Sequence, residues 1–557
     1  MSQIAELVEK HAGTLAAAAV ANRSREYYTH WPEAPSGKIY GETANADGLA
    51  EFQGYLNKPF DGLQQSGAAK TCGKEQSPYG FPLGVAYPSL DAETLVARAR
   101  AAQTEWRKYT PDERAAILLE CLERAAAHFF AIGYATMHTT GQGFVMAFQA
   151  SGPHAFDRAL EAIVTALDEQ REFAGHVEWK KPMGKMEVVL DKRFHIVPKG
   201  VNLTIGCSTF PLWNSFPGIF ASLATGNASI AKTHPGAMLP MAICVASFRQ
   251  TLGDLGINSD IIQLAADDSD APLTLDLAKH RGVALIDYTG GSAFGTELER
   301  QTAGMGKTLY TEKAGVNCAI LDSADNLDAA LDNLAFSVSL YSGQMCTAPQ
   351  NIFVCADGVS TPEGGVPATE IARKFAEKID ALVFNEKVGP GTLGAIQNEA
   401  TAQRVAQAAA TGEVVRASAP VAQAGFDNAR AISPLVVLLT EEQADVYERE
   451  WFGPISFVIP VSSFAAAVEK VVTLARTHGA LSGAVYTTDP AKNAQAEDAL
   501  VHAGVPVAFN LTGPVWVNQS AAFSDFHGTG ANPAGSASFA DSGFVSTRFA
   551  IVGSRSK

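Results

Sequence analysis

The chain has 557 residues, 47% of them apolar and 18% charged, with a formal net charge of −16. That length exceeds one ordinary domain and suits about two to four buried units. The acidic balance argues against a nucleic-acid binder, and the ordinary Pro and Gly content argues against disorder.

Seven cysteines (Cys72, Cys121, Cys207, Cys244, Cys318, Cys346 and Cys355) are scattered, without CxxC or Cys/His ligand spacing. This predicts no metal site and fits a reducing, cytoplasmic compartment. The start, MSQIAELVEKHAG, lacks a basic stretch followed by an apolar core, so no signal peptide is expected. The apolar run 15–21 is too short to span a bilayer, and no membrane partner is expected.

In chain order, residues 6–22 are predicted helical, and the WPEAPSGK and NKPFDG words mark loops. Asp91-Ala92-Glu93 opens an Ala/Arg-rich helix. Pro111-Asp112-Glu113-Arg114 opens another to about residue 131, with Pro at a tolerated early position. Residues 159–173 are a third. Short apolar runs then follow at 201–206, 228–232, 261–265, 283–288 and 307–311, with helical stretches such as 236–252 and 273–280 between them. Strands spaced by helices predict parallel βαβ units that bind ligands at the strands' C-terminal ends. A second alternating block spans 317–510. Residues 185–200 read as an exposed hairpin and 543–553 as a final strand.

Two words carry chemistry: Thr311-Glu312-Lys313, and Gly343-Gln344-Met345-Cys346-Thr347, 34 residues further on between Glu312 and Cys346. A cysteine can attack a carbonyl carbon, and a carboxylate can deprotonate the water that releases the product. A turn or helix start at Cys346 would offer backbone N–H groups to a thiolate. The other six cysteines read as small buried hydrophobes.

The wider order of motifs is Leu212-Trp213-Asn214-Ser215-Phe216-Pro217, Ala231-Lys232-Thr233, Tyr288-Thr289-Gly290-Gly291-Ser292, Glu312, Cys346 and Glu450-Trp451-Phe452-Gly453-Pro454. In this order the chain resembles the aldehyde dehydrogenase superfamily over roughly residues 90–553. The resemblance implies an α/β fold with two doubly wound parallel domains and a small β oligomerisation element. It places a dinucleotide-binding domain at 85–310 with the 185–200 hairpin for oligomerisation, and a catalytic domain at 311–510. Residues 511–557 return to the cofactor domain and the oligomerisation tail. Residues 1–84 are an N-terminal extension of unassigned role.

The resemblance also implies the roles. Cys346 is the nucleophile that forms a thiohemiacetal and then a thioester. Asn214 and the Cys346 backbone N–H hold the oxyanion, and Glu312 activates the hydrolytic water. Lys232, Trp213, Gly290, Gly291, Ser292, Glu450 and Phe452 bind the cofactor. With Glu312 present, hydrolysis to a free acid is expected over transfer to coenzyme A. Where many NAD-preferring relatives carry an acid three residues after the lysine, this chain has Pro235, which favours NADP or the use of both NADP and NAD. The C-terminal tail reads His527-Gly528-Thr529-Gly530-Ala531-Asn532-Pro533-Ala534-Gly535, and no proton-relay acid is assigned in it.

The extension and the words FPLWNSFPG, YTEKAGVN and GTGANPAG resemble the subgroup of phenylacetic-acid degradation proteins called PaaN. That resemblance implies a small-molecule aldehyde linked to coenzyme A, 3-oxo-5,6-dehydrosuberyl-CoA semialdehyde, in phenylacetate catabolism. The semialdehyde of the aerobic benzoyl-CoA pathway is the rival, and no fused hydratase domain is expected. Lys180, Lys181, Lys185, Lys192, Arg193 and Lys199 form a basic cluster, either a dock for CoA phosphates or a solvated hairpin at an interface. A homodimer or dimer of dimers is expected from the exposed sheet edges. The competing classes are a catalytically silent binding protein of the same fold and an esterase using Cys346 alone.

Overall fold

A computed structural model describes residues 3–557. Its first sheet has five strands, in the order Ile262–Leu264, Ala228–Lys232, Val201–Ile205, Val283–Gly290, Thr308–Lys313, and every pair is parallel. Val201–Ile205 and Ala228–Lys232 are buried at every position, as strands covered on both faces must be. The chain winds outward from 201 to 264, then returns to the far side of Val201–Ile205. That reversal puts the switch point between Val201–Ile205 and Val283–Gly290, where a crevice opens beyond the strand ends.

The second sheet has seven strands, in the order Glu413–Arg416, Leu435–Leu438, Ile455–Val461, Asn351–Cys355, Cys318–Leu321, Gly483–Tyr486, Val507–Phe509. Only the Glu413–Arg416 pairing is antiparallel. The two sheets are the doubly wound α/β layers expected from the sequence. One boundary moves: Thr308–Lys313 pairs with Val283–Gly290, so Glu312 stands on the first sheet and the expected division at 310/311 falls inside a strand.

The third sheet is antiparallel and holds His176–Met183, Met186–Pro198 and Phe549–Ser556. The hairpin starts earlier than the expected 185–200, because residues 176–183 supply its first strand. It is wet on both faces and exposes Met183, Met186, Phe194 and Val552. The tail reaches it through Arg548, which is fully buried. Its guanidinium donates to Asp287 Oδ2 and Oδ1 at 2.9 and 2.6 Å and to Ser222 Oγ at 2.7 Å.

The amino-terminal helix Gln3–Ser24 buries Leu7, His11, Leu15, Ala18 and Ala21, which recur every three or four residues along one face. That face packs on the helices Pro111–Ala125 and Pro153–Arg171. Further along the extension, Glu75 Oε1 accepts from the N–H groups of Met238 and Leu239, at the start of the helix Leu239–Asp254. A carboxylate there meets the positive end of the helix dipole. Burial still pushes the Glu75 carboxyl up to about 6. Among the described residues, no helix is long and apolar enough to cross a membrane.

Candidate active site

Cys346 follows a turn with an uncommon backbone. Tyr341, Ser342 and Gly343 all have positive φ, at 52°, 50° and 61°. Left-handed conformations at non-glycine residues carry strain and persist only where the surroundings over-determine them. Here they do. Tyr341 Oη donates to Thr140 O at 2.6 Å and Ser342 Oγ to Leu393 O at 3.0 Å. A Cβ on Gly343 would lie 2.5 Å from Gly453 O, so only glycine fits. The Gln344 amide donates to Ala395 O and accepts from Gln397 N. Beyond the turn, Asn317 Nδ2 donates to the carbonyls of Cys346 and Ala348 at 2.8 and 3.0 Å.

Glu312 lies near the end of its strand, buried, and faces two partners. Asn214 Nδ2 is 3.3 Å from each of its carboxylate oxygens. His527 Nε2 is 3.0 Å from Oε1. The same His527 nitrogen is 3.6 Å from Cys346 Sγ. The donor atoms of Glu312, Cys346 and His527 all lie within 4.8 Å of one another. Burial first, then the Glu312 carboxylate, push the Cys346 thiol well above the ordinary thiol range.

Two cavities meet at this point. The first, about 470 Å³, lies over the C-terminal ends of the first sheet and includes Gly206, Lys232, Gly290 and Glu312 in its wall. The second, about 400 Å³, runs on the other side and includes Trp213, Met345, Trp516 and His527. Phe210, Asn214 and Cys346 line both.

Most of the residues expected to bind a cofactor fall in the first cavity: Lys232, Gly290, Gly291, Glu450 and Phe452. A Cβ on Gly290 would strike the Tyr288 hydroxyl at 2.5 Å, whereas one on Gly291 would meet open space. Gly291 also caps the helix Ser292–Thr302, whose free N–H groups suit a phosphate. Burial raises the Glu450 carboxyl to about 7, with Arg404 acting against it. Two residues stand elsewhere. Ser292 turns its hydroxyl to Ala314 O at 3.0 Å. Trp213 lines the second cavity, edge-on to the His527 ring at 4.5 Å, with Arg158 over its face.

The aldehyde dehydrogenase family model matches residues 86–538. The chain belongs to the aldehyde dehydrogenase family. Its members are NAD(P)-dependent oxidoreductases that act on aldehydes. The crystal structure of an NAD-dependent aldehyde dehydrogenase from Burkholderia multivorans is 46% identical, with a TM-score of 0.97, over 100% of this chain and 99% of that one. N-succinylglutamate 5-semialdehyde dehydrogenase from Burkholderia vietnamiensis is 27% identical over 70% of this chain and 75% of its own length. Vanillin dehydrogenase from a Pseudomonas species is 25% identical over 73% and 79%.

For an aldehyde dehydrogenase, three parts of this site lay outside the sequence reading. His527 was seen only as part of a Gly-rich tail. The acid missing at Pro235 has a counterpart in Asp267, beyond the end of Ile262–Leu264, whose Oδ1 is 2.7 Å from Lys232 Nζ. The extension, unassigned in the sequence, lines the second cavity with Tyr27, Tyr28, Thr29 and Glu33. The basic hairpin cluster lines neither cavity. Its Lys180 pairs with Glu178, and Lys192 sits over the Trp179 ring.

Proposed function

We propose that this aldehyde dehydrogenase oxidises an aldehyde to the free carboxylic acid through a thioester on Cys346. The observation that carries the reading is the placement of Cys346 and Asn214 in the shared wall of the two cavities, with Glu312 against the Asn214 amide. One cavity takes the dinucleotide and the other the aldehyde, so the two reactants meet at the sulfur.

Cys346 attacks the aldehyde carbon. The Asn214 amide and the Cys346 backbone N–H stabilise the oxyanion, the amide leaving Glu312 as it does so. A nicotinamide dinucleotide bound in the first cavity supplies a hydride acceptor. Gly290 and Gly291 would let a pyrophosphate approach the backbone, Lys232 and Glu450 would hold ribose hydroxyls, and Phe452 would pack near the nicotinamide. Glu312 then removes a proton from water, which hydrolyses the thioester. NAD is the cofactor we favour, since Asp267 neutralises the lysine that would otherwise attract a 2′-phosphate, and the B. multivorans relative is NAD-dependent.

The first sheet then serves as the dinucleotide-binding domain and the second carries the nucleophile. The three-stranded sheet, with its exposed apolar side chains, is the surface for a homodimer or dimer of dimers.

The substrate we propose is a CoA-linked semialdehyde of the phenylacetate type, supported by the PaaN-like words and by an extension that shapes the second cavity. A second reading, a free aromatic aldehyde, has its own support. Tyr28, Phe210, Trp213 and Trp516 line that cavity, and among the described residues no Lys or Arg does. Vanillin dehydrogenase is among the relatives. The experiment is a panel of free and CoA-linked aldehydes against NAD and NADP, with wild type, Cys346→Ala and Glu312→Gln. Reduced-cofactor formation that Cys346→Ala leaves intact would refute the mechanism. Acyl-enzyme trapped on Glu312→Gln, seen by intact mass, would support it.

A further inference from the structure

We propose that His527 is the base that ionises Cys346, so that the site works through a Cys346–His527–Glu312 relay. The inference rests on the reading of Cys346 as nucleophile. It goes beyond that reading by giving the thiol's proton a destination of its own.

The need for one follows from the site. Cys346 and the Glu312 carboxylate share a buried pocket, and a thiolate beside a carboxylate is repelled by it. Were Glu312 to take the thiol's proton, it could not take a second one from water without first losing it. A separate acceptor removes the conflict, and one nitrogen is in place. His527 Nε2 lies 3.6 Å from the sulfur and 3.0 Å from the carboxylate oxygen. Protonated, it stands between two anions and offsets both. The sulfur and the carboxylate meet the same ring nitrogen, so Glu312 does not orient the base through the other nitrogen; it favours a proton on Nε2 by its charge.

The ring is fixed for this task. It meets the Trp213 ring edge-on at 4.5 Å and the Phe539 ring at 5.3 Å. His527 is itself buried at 4% exposure. It lines the second cavity and not the first, so it lies on the aldehyde side of the sulfur.

The proton balance closes. The S–H bond breaks and its proton forms an N–H bond at Nε2. The sulfur pair forms the C–S bond, and the carbonyl π pair moves onto oxygen. That pair re-forms the carbonyl as the C–H bond breaks and its electrons leave as hydride to a bound nicotinamide dinucleotide, which gives the thioester. In hydrolysis, Glu312 takes one proton from water, the water oxygen forms the new C–O bond, and the C–S bond breaks with its pair returning to sulfur. The thiolate is again paired with the imidazolium, and Glu312 releases its proton to solvent.

Alkylation of Cys346 by iodoacetamide, followed against pH without cofactor or aldehyde, tests the relay alone. Burial and the Glu312 carboxylate alone raise the thiol, so only an imidazolium at His527 that offsets both should keep wild type reactive below the free-thiol range of about 8.5. His527→Gln keeps a side chain able to bond Glu312 but accepts no proton. It should react at least tenfold more slowly at pH 7 and show its inflection at least one pH unit higher. Unchanged dinucleotide affinity in His527→Gln certifies the fold, because His527 does not line that cavity. An identical rate and inflection in the two proteins overturns the relay and leaves the aldehyde chemistry standing. Should His527→Gln not bind dinucleotide, thiolate absorbance near 240 nm in wild type minus Cys346→Ser decides. Thiolate present at pH 7 supports the relay, and its absence overturns it.

Discussion

Lys232 Nζ meets Asp267 Oδ1 at 2.7 Å, and the two side chains are 3% and 1% exposed. They stand at the C-terminal ends of adjacent strands, the place where a dinucleotide-binding sheet recognises an adenosine ribose. Asp267 Oδ2 also accepts from the Leu273 N–H at 2.8 Å, so the carboxylate is held from two sides. A lysine neutralised in this way offers little to a 2′-phosphate.

Asp267→Asn should therefore free the charge of Lys232 and raise the use of NADP. The expected outcome is a rise of about tenfold in the NADP:NAD ratio of kcat/KM, equivalent to ~1.4 kcal/mol. Steady-state kinetics with both cofactors checks it. An unchanged ratio would show that the discrimination lies elsewhere.

If Glu450 holds the ribose as proposed, it should make cofactor affinity depend on pH. Burial raises its carboxyl to about 7. Below that value the group is protonated, and above it a carboxylate can accept from both ribose hydroxyls. The KM for the dinucleotide should fall severalfold between pH 6 and pH 8, with kcat following its own profile. Glu450→Gln should flatten the KM profile at the weaker, low-pH level. A variant that keeps the wild-type slope would assign the titration to another group.

The legible parts of this protein are those written locally. The strands Val201–Ile205 and Ala228–Lys232 appear in the sequence as short runs, VNLTI and ASIAK, rich in apolar and small residues, and Cys346, Glu312 and Asn214 stand inside recognisable words. The parts that were not legible come from far along the chain. His527 is 181 residues from Cys346, and no periodicity joins them. Asp267, beyond the end of one strand, stands beside Lys232 at the end of its neighbour, since pairing, not sequence, sets those two ends side by side. Thr308–Lys313 reads equally well as the end of one domain or the start of the next, and only its pairing with Val283–Gly290 decides.

The Arg548–Asp287 pair should be costly to break from one side. Arg548 is 0% exposed, and its guanidinium meets both carboxylate oxygens. Removing one member of a buried pair leaves the other charged and unpaired, at a cost of about 3–5 kcal/mol. Arg548→Ala should lower the Tm by several degrees. It should also loosen Phe549–Ser556, the strand that follows directly and completes the exposed sheet. Arg548→Met with Asp287→Leu, which removes both charges, should recover much of the loss. Thermal unfolding followed with light scattering reads both effects, and a double variant no better than the single one would sink the explanation.

The extension should set the aldehyde KM without touching the cofactor. Thr29 Oγ1 donates to Asp157 Oδ2 at 2.6 Å, and the His30 N–H donates to Asp157 Oδ1 at 3.0 Å. These bonds hold the segment that carries Tyr27, Tyr28 and Glu33 against the second cavity. A second tie at the rim, His154 to Glu33 at 2.8 Å, is exposed and contributes less. A hydrogen bond to a carboxylate is worth ~1.5–3 kcal/mol. Thr29→Val keeps the shape and deletes that bond, so the wall should loosen and the aldehyde KM should rise about tenfold. Tyr28→Ala removes part of the wall itself, including a ring that meets Phe523 edge-on at 5.0 Å, and should raise the KM at least as far. Neither position lines the first cavity, so the KM for the dinucleotide should stay put in both variants. Paired titrations of aldehyde and cofactor check this, and a parallel rise in both constants would mean that the extension acts through general stability rather than as the cavity's wall.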